Sequence, residues 1–188
     1  SNVPDWYITS CKKIKYLFPK AHAAAYVMSA IRLAWYKVYK PLEFYAAYFS
    51  VRAKAFDAQY MINGDGVVLA KMEEIQKKEK PSPVEKEMLV TLEVCHEFYA
   101  RGFKFDPIDL YQSDAVNFQI TETGLLPPFT AIPGLGEVAA RGIMAERVKS
   151  EFISVDELQS RCNKVSKAVV ELLTANHVLD DIPATSQM

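Results

Sequence analysis

The fold of this chain is decided by the stretch Ile132-Pro133-Gly134-Leu135-Gly136-Glu137-Val138-Ala139-Ala140-Arg141-Gly142-Ile143. An apolar residue leads into a Pro-Gly turn, and a helical pattern follows the turn. Pro133 fixes φ and Gly134 permits a positive φ, so the backbone can turn tightly. Leu135 can insert into a core, and Gly136 has no side chain to keep a ligand from its amide. The stretch therefore predicts a tight turn that opens a helix.

This pattern resembles the helix-hairpin-helix motif, which grips the nucleic-acid backbone without reading bases. Ala140 and Ile143 lie on one face of the helix that follows the turn. Free amides at a helix N-terminus attract phosphate, and the resemblance assigns the contact to Gly134, Leu135 and Gly136. A plain helix–turn–helix corner with a glycine turn is the alternative reading of the same residues.

A second copy of the pattern occurs thirty residues later. The apolar positions recur, because Ile132, Leu135, Ala140 and Ile143 become Cys162, Val165, Val170 and Leu173. The two glycines become Lys164 and Ser166, so we predict a degenerate second hairpin.

The predicted DNA-backbone contacts of this second hairpin are Lys164, Val165, Ser166 and Lys167. The two lysines would supply charge and Ser166 can cap the helix. A repeat of this length indicates duplicated architecture. The family resemblance implies that tandem hairpins related by a pseudo-dyad hold both strands of a duplex.

Composition limits how such a chain could bind nucleic acid. Its 188 residues are 50% hydrophobic and 24% charged, with a net charge of −1. This is ordinary for a globular protein with one substantial core or two small domains. Without a global basic character, any contact with nucleic acid must be local and made through the backbone.

The three cysteines, Cys11, Cys95 and Cys162, are isolated in the sequence. Their odd number and spacing argue against a disulfide framework and a zinc site, and they suit a reducing cytoplasm. The sequence contains no signal peptide and no apolar run long enough to span a membrane. Ser1-Asn2 and the abrupt helical start indicate an excised fragment. We therefore expect a cytoplasmic protein with no membrane partner and no metal.

Apolar spacing predicts a mainly α fold with a small β-sheet. A helix from about Ala21 to Tyr39 is apolar nearly all round, so we expect it to be buried. The next helix carries an aromatic face that we assign to the core: Phe44, Tyr45, Tyr48 and Phe49. Alternation within residues 103–129 predicts a sheet of two or three strands that leads into the first hairpin.

A closer resemblance covers the N-terminal part and extends almost to the last residue. Its motifs are Cys11-Lys12-Lys13-Ile14-Lys15-Tyr16-Leu17-Phe18-Pro19-Lys20-Ala21-His22-Ala23-Ala24-Ala25-Tyr26-Val27, Ala34-Trp35-Tyr36-Lys37 and Lys40-Pro41-Leu42-Glu43-Phe44-Tyr45-Ala46-Ala47-Tyr48-Phe49. They resemble the fingers region of the C-family bacterial replicases, in their PolC-type form. That family has Asn-Lys-Ser-His or Pro-Lys-Ala-His before an alanine run, and this chain has the second form.

The resemblance implies a domain order and a parent enzyme. It implies a helical fingers portion at residues 1–102, a sheet with a tandem helix-hairpin-helix DNA-binding domain at 103–183, and a truncated tail at 184–188. The parent would be a bacterial, cytoplasmic DNA-directed DNA polymerase acting in DNA replication. Its Mg²⁺-binding aspartates would lie in a palm upstream of this chain. We therefore expect no catalytic residue here, and binding of duplex DNA without polymerisation.

Two further sites follow from the resemblance. Lys20 and His22 are candidates for facing the incoming deoxynucleotide, although they can equally cap the helix junction. Gln187 and Met188 are candidates for the first two residues of a sliding-clamp motif whose Leu-Phe anchor is absent. A disordered terminus is the alternative for the tail.

A free-standing helix-hairpin-helix DNA-binding or scaffold protein is the competing function. The Pro-Lys-Ala-His stretch with its alanine run distinguishes the two, because a scaffold has no need for it.

Overall fold

The computed structural model describes residues 3–14 and 19–185, and these residues form a mainly helical protein. The helices are α1 (Asp5–Lys13), α2 (Lys20–Tyr39), α3 (Pro41–Val51), α4 (Ala58–Met61), α5 (Asp65–Gln76), α6 (Pro83–Ala100), α7 (Glu137–Arg147), α8 (Val155–Arg161) and α9 (Lys167–Ala175). The backbone packs into two compact units, residues 1–41 and residues 42–188.

A small mixed sheet joins α6 to the hairpins. Its strands are β1 (Lys104–Phe105), β2 (Gln119–Ile120) and β3 (Gly124–Leu126). β3 lies in the centre, parallel to β1 and antiparallel to β2, with Leu125 opposite Phe105 and Ile120. The predicted fold class, mainly α with a small sheet, is confirmed.

The first unit exposes its apolar residues. α2 has the predicted position, but none of its residues is buried, and Ile31 and Leu33 are 63% and 60% exposed. The prediction that α2 is buried is therefore wrong. A helix that is apolar on every side needs neighbours on every side, and periodicity reports only which surface is apolar. α1 ends at Lys13, with Ile14 in an extended conformation, and residues 15–18 lie outside the described ranges.

The second unit is built around a cluster of aromatic rings. Phe49 of α3 contacts Phe105 of β1 and Phe118, with ring centroids 5.3 and 5.5 Å apart. Phe98 of α6 lies 4.6 Å from Phe105. The core assignment of the aromatic face of α3 is confirmed, since Tyr45 and Phe49 are buried and their two neighbours pack against them.

Tyr45 places its one polar atom at the edge of this cluster. Its hydroxyl donates to Glu97 at 2.6 Å and accepts from Arg101 at 3.3 Å. Burial, followed by the hydrogen bond to Glu97, raises the pKa of Tyr45 to about 12. The buried phenol is therefore satisfied, which lets a polar side chain occupy a core position.

Backbone hydrogen bonds fix the start of the first hairpin to the loop beside the sheet. A 3-10 turn, Phe129–Ala131, precedes the hairpin. The amide of Phe129 donates to Asp114 O at 3.0 Å, and the amide of Thr130 donates to Ala115 O at 3.1 Å. Phe129 itself is fully buried, so the hairpin begins at a rigid point of the core.

Candidate nucleic-acid interface

The first hairpin consists of the 3-10 turn, a tight turn at residues 132–135 and helix α7. The amide of Leu135 donates to Ile132 O at 3.1 Å, which closes a four-residue turn. Pro133 at the second position and Gly134 at the third, with a φ of 86°, are the features of a type II turn. Leu135 is only 4% exposed, so it inserts into the core as predicted.

The second hairpin repeats this geometry thirty residues later, between α8 and α9. The amide of Val165 donates to Cys162 O at 2.8 Å, and Val165 is also 4% exposed. At the start of each helix an equivalent bond forms, from Ala140 N to Gly136 O and from Val170 N to Ser166 O, both 3.1 Å. The closing bond of the turn and the first bond of the helix therefore recur at the predicted spacing of thirty residues.

The two hairpins pack against each other reciprocally. A Cβ atom on Gly134, in the first turn, would lie 3.3 Å from Leu172 Cδ1 of α9. Cys162, which opens the second turn, has its Sγ atom 3.9 Å from Gly142 O of α7. Positions 142 and 172 are equivalent under the thirty-residue shift. Each turn therefore meets the helix of the other hairpin, as a pseudo-two-fold arrangement requires.

The turns differ at their third residue. Gly134 has a positive φ, whereas Lys164 does not, because His177 is the one non-glycine residue with positive φ in the described part of the chain. The second turn is therefore not of type II. Both turns are nevertheless closed by the same hydrogen bond, from the amide of the fourth residue to the carbonyl of the first.

The helix starts also differ in how their amides are capped. Gly136 is the N-cap of α7 and has a φ of −76°. It has no side chain that could accept a hydrogen bond from the first-turn amides. First-turn amides, such as those of Glu137 and Val138, have no acceptor within their own helix. Ser166 is the N-cap of α9, and its hydroxyl accepts from Val169 N at 3.4 Å. The first hairpin thus offers more unpaired amides than the second.

The charged residues at the starts of α7 and α9 have opposite signs at equivalent positions. Glu137 pairs with Arg141, whose Nε lies 2.7 Å from Glu137 Oε1. The equivalent residues of α9 are Lys167 and Glu171, in the opposite order. Lys164 and Lys167 are exposed, and neither is in an ion pair with another described residue. The second hairpin therefore presents two cations at its tip.

Lys20 and His22 occupy the first turn of α2, in the first unit. Lys20 is exposed and follows the N-cap Pro19. His22 is partly buried, and its ring lies 4.6 Å from that of Tyr26. Both side chains stand at a helix start with no acidic residue in its first turn. Gln187 and Met188, the predicted clamp remnant, lie outside the described residues.

Comparison with known proteins identifies both parts of the chain. A helix-hairpin-helix motif family matches residues 102–187. "DNA polymerase III PolC-type" of Bacillus subtilis (strain 168) and of Lacticaseibacillus paracasei are each 50% identical over 189 residues, covering 100% of this chain. The Streptococcus suis protein of that name is 50% identical over 191 residues. The chain belongs to the PolC-type DNA polymerase III family. It spans 13% of the length of these relatives.

DNA polymerases are generally metal-dependent, and the carboxylates described here do not fit a metal site. No group of three or more His, Cys, Asp or Glu residues among residues 3–14 and 19–185 could hold a metal ion. Asp109 Oδ1 accepts from the amides of Tyr111 and Gln112 at 2.8 and 2.7 Å. Asp180 lies 2.9 Å from the ring of His177. These carboxylates fix turns of the PolC-type chain.

Within the parts of this PolC-type chain that the structure describes, no helix is long and apolar enough to cross a membrane.

The sequence interpretation missed the pair between Glu137 and Arg141. Its signal was present, because opposite charges four residues apart on a helix commonly meet. It also missed the contacts of Arg161, the last residue of α8. Its partners are mainly backbone carbonyls between residues 146 and 151. Every residue has a backbone carbonyl, so the sequence does not indicate which ones an arginine will bind.

Proposed function

We propose that this chain holds the sugar–phosphate backbone of duplex DNA within a bacterial replicative DNA polymerase. The observation that carries the proposal is the pair of equivalent turns, closed by the Leu135 and Val165 bonds, whose tips lie on the surface. The motif match over residues 102–187 supports the same assignment. The contacts would be with phosphate, so binding would not depend on base sequence.

The first hairpin would act through its backbone. The N-terminus of α7 carries unpaired amides and the positive end of the helix dipole, which together favour an anion. A Cβ atom on Gly136 would meet nothing within 4 Å of the protein, so the space above these amides is open. A phosphate oxygen could therefore approach Gly136 without displacing any side chain.

The second hairpin would act through charge. Lys164 and Lys167 flank the turn and are exposed. Ser166 already satisfies one amide of α9, so fewer backbone donors remain. Each lysine that neutralises a phosphate releases counterions, which makes this half of the interface sensitive to salt.

The reciprocal packing of the hairpins supports duplex over single-stranded DNA as the partner. Two phosphate-binding turns related by a pseudo-dyad can contact two strands related by the dyad of a duplex. With a net charge of −1 and few phosphate contacts, the isolated chain should bind weakly and with a shallow salt dependence.

The remaining roles concern the parent enzyme. We assign residues 1–102 to its fingers, 103–183 to the DNA-binding domain and 184–188 to a tail whose Gln187 and Met188 would begin a clamp-binding motif. Lys20, at a helix start without acidic residues, would face the triphosphate of the incoming deoxynucleotide, with His22 beside it. The palm with its Mg²⁺ ions would lie elsewhere in the parent, in the bacterial cytoplasm, and this chain alone would not extend a primer.

A free-standing scaffold protein explains less. The match at 50% identity extends over 100% of this chain, so it covers the Pro19-Lys20-Ala21-His22 stretch as well as the hairpins. That observation favours the polymerase.

Replacement of Gly136 tests the proposed function. Gly136→Val places a β-branched side chain between the amides and the phosphate. We expect the affinity for a labelled duplex, measured by fluorescence anisotropy, to fall roughly tenfold, as expected for lost hydrogen bonds to a charged group. Gly136→Ser, which copies the capping serine of the second hairpin, should have a smaller effect.

The matched control is Gly66→Val. Gly66 lies in the first turn of α5 and is exposed, and a Cβ atom at this position would likewise meet nothing within 4 Å. Affinity should stay at the wild-type value in this variant. Circular dichroism would show whether both variants are folded. Equal affinities of folded Gly136→Val and Gly66→Val proteins would contradict the proposal and mean that the hairpin has only a structural role.

A further inference from the structure

One arginine ties the end of the first hairpin to the start of the second. Arg161 is the last residue of α8 and directly precedes Cys162, where the second turn begins. Its Nη2 atom donates to Glu146 O, in the last turn of α7, at 2.6 Å, and to Ser150 O at 3.1 Å. Its Nη1 atom donates to Glu151 O at 3.2 Å. A single guanidinium therefore binds one carbonyl of α7 and two of the segment that joins the hairpins.

Other contacts hold this side chain in place. Arg161 lies over the ring of Phe152 with its Cζ atom 4.5 Å from the ring centre, and its side chain is only 18% exposed. Carboxylate oxygens of Glu146 and Glu157 lie 3.7 and 3.3 Å from its nitrogens. The Phe152 amide donates to the Tyr111 hydroxyl at 3.1 Å, which anchors the connector to the rest of the unit.

We propose that Arg161 is the positioning residue that fixes the spacing of the two phosphate-binding turns. This inference rests on the proposed function of the hairpins. The guanidinium donates toward the connector, so it acts on DNA only through the turns. The first hairpin has no counterpart, because the equivalent residue is Ala131.

Spacing matters because the two turns would bind one ligand at two points. Binding at the first turn makes binding at the second intramolecular, with an effective concentration that depends on how well the turns match the span between the phosphates. A loose connector would lower that effective concentration without removing any contact to DNA. Arg161 would therefore contribute to the affinity for a duplex and very little to the affinity of either turn alone.

The first test measures the spacing directly. Nitroxide labels are attached through Val138→Cys and Ala168→Cys, two exposed and equivalent positions, in a Cys11→Ser background where Cys95 and Cys162 are buried. We expect Arg161→Gln to broaden the distance distribution between the labels. Arg161→Lys should broaden it as well, because an ammonium lacks the guanidinium fork. An unchanged distribution in a folded Arg161→Gln protein would overturn the inference.

The matched control is Arg147→Gln. Arg147 also donates to a carbonyl, Leu110 O at 2.8 Å, and lies 5.7 Å from the ring of buried Phe129. Its hydrogen bond and ring contact with described residues lie outside the second hairpin. We expect this variant to lose stability while keeping the narrow distance distribution of the wild type. Broadening of equal size would mean that any loss of packing loosens the hairpins, and would overturn a specific role for Arg161.

The second test is a double-mutant cycle on duplex binding. Arg161→Gln should weaken binding of a labelled duplex about tenfold, since effective concentration is lost. In the Gly136→Val background it should weaken binding less than about twofold, because a protein held mainly by one turn does not depend on spacing. Equal losses in both backgrounds would overturn the inference.

The controls separate this inference from the proposed function. If Arg161 contacted a phosphate directly, Arg161→Lys would keep most of the affinity, and Arg161→Gln would lower the salt slope by about one. Either result would overturn the positioning role. A wild-type chain without affinity for duplex DNA would overturn the proposed function and the inference together. Duplex binding that is sensitive to Gly136→Val but unaffected by Arg161→Gln would overturn the inference alone.

Discussion

The two hairpins of this chain follow the same backbone path but differ in how they would attract a phosphate. The first has glycines at its tip and a helix start without a side-chain cap. The charges of Glu137 and Arg141 in its helix neutralise each other in an ion pair. The second has a serine cap and two exposed lysines. Half of the proposed interface is thus dipolar and the other half ionic.

This difference shows that separate residues determine the shape and the electrostatics of a hairpin. The shared features are the turn-closing bond, the buried residue that follows the turn, and the apolar face of the helix. The glycines are not shared, and the second turn closes without a positive φ. A hairpin can therefore lose its glycines and keep its path, provided that the apolar residue stays in the core.

Removal of the buried turn residue should have the largest effect. Leu135→Ala deletes a side chain that is 4% exposed, so we expect the free energy of unfolding to fall by roughly 3 kcal/mol. Val165→Ala, at the equivalent position, should cost roughly 2 kcal/mol because fewer atoms are removed. Urea unfolding monitored by circular dichroism measures both values. A negligible cost at either site would break the equivalence of the hairpins.

Substitution at the third residue of each turn should distinguish their backbones. Gly134 has a φ of 86°, and a new Cβ would meet Leu172 Cδ1 at 3.3 Å, so Gly134→Ala should destabilise the fold by about 1–2 kcal/mol. Lys164→Ala, at the equivalent position, should change stability by less than about 0.5 kcal/mol. The same unfolding experiment compares the two variants, and equal costs would show that the turns are alike.

Salt dependence should separate the dipolar hairpin from the ionic one. Lys164→Ala and Lys167→Ala should each lower the slope of log affinity against log salt by about one, since each removes one cation from a phosphate. Gly136→Val should lower the affinity and leave the slope unchanged. Titration of a labelled duplex at several salt concentrations gives the slopes. A reduced slope in Gly136→Val would show that both hairpins act through charge.

The smallest expected effect concerns the acidic residue at the start of α7. Glu137→Gln removes a negative charge beside the proposed phosphate site and releases Arg141 from its ion pair. A charge at a helix end contributes roughly 0.3–1 kcal/mol, so duplex affinity should rise about two- to fivefold. Glu171→Gln is the control, because Glu171 lies a full turn further along the equivalent helix. Anisotropy titrations at low salt would detect the difference, and a weaker complex of the Glu137→Gln protein would exclude repulsion by this carboxylate.

Much of the fold could be predicted from the sequence because it depends on local signals. The Pro-Gly turn, the apolar repeat and the aromatic face of α3 are such signals, and the hairpins and the aromatic core followed from them. The predicted DNA-contact residues lie at or beside these turns, so their position in the hairpins also followed. Their roles at a phosphate stay predictions.

The rest depends on partners that the sequence does not name. α2 is apolar on all sides, but its pattern does not say what covers it, and its residues are exposed. The carbonyls bound by Arg161 belong to residues whose side chains are irrelevant to the contact. Lys164 closes a turn without positive φ, and no local rule distinguishes that turn from the glycine turn it replaces.

The unlike third residues of the turns give the module a direction. In a type II turn the central peptide is rotated by roughly 180° relative to a turn with negative φ at the third residue, so its N–H and C=O groups exchange sides. The tips of the two turns therefore differ in backbone conformation, because Gly134 has a positive φ and Lys164 does not. A perfectly symmetric module would fit a duplex equally well in two opposite orientations. The two turns of this chain are not identical, so its proposed contact with DNA would distinguish one strand from the other before any base is read.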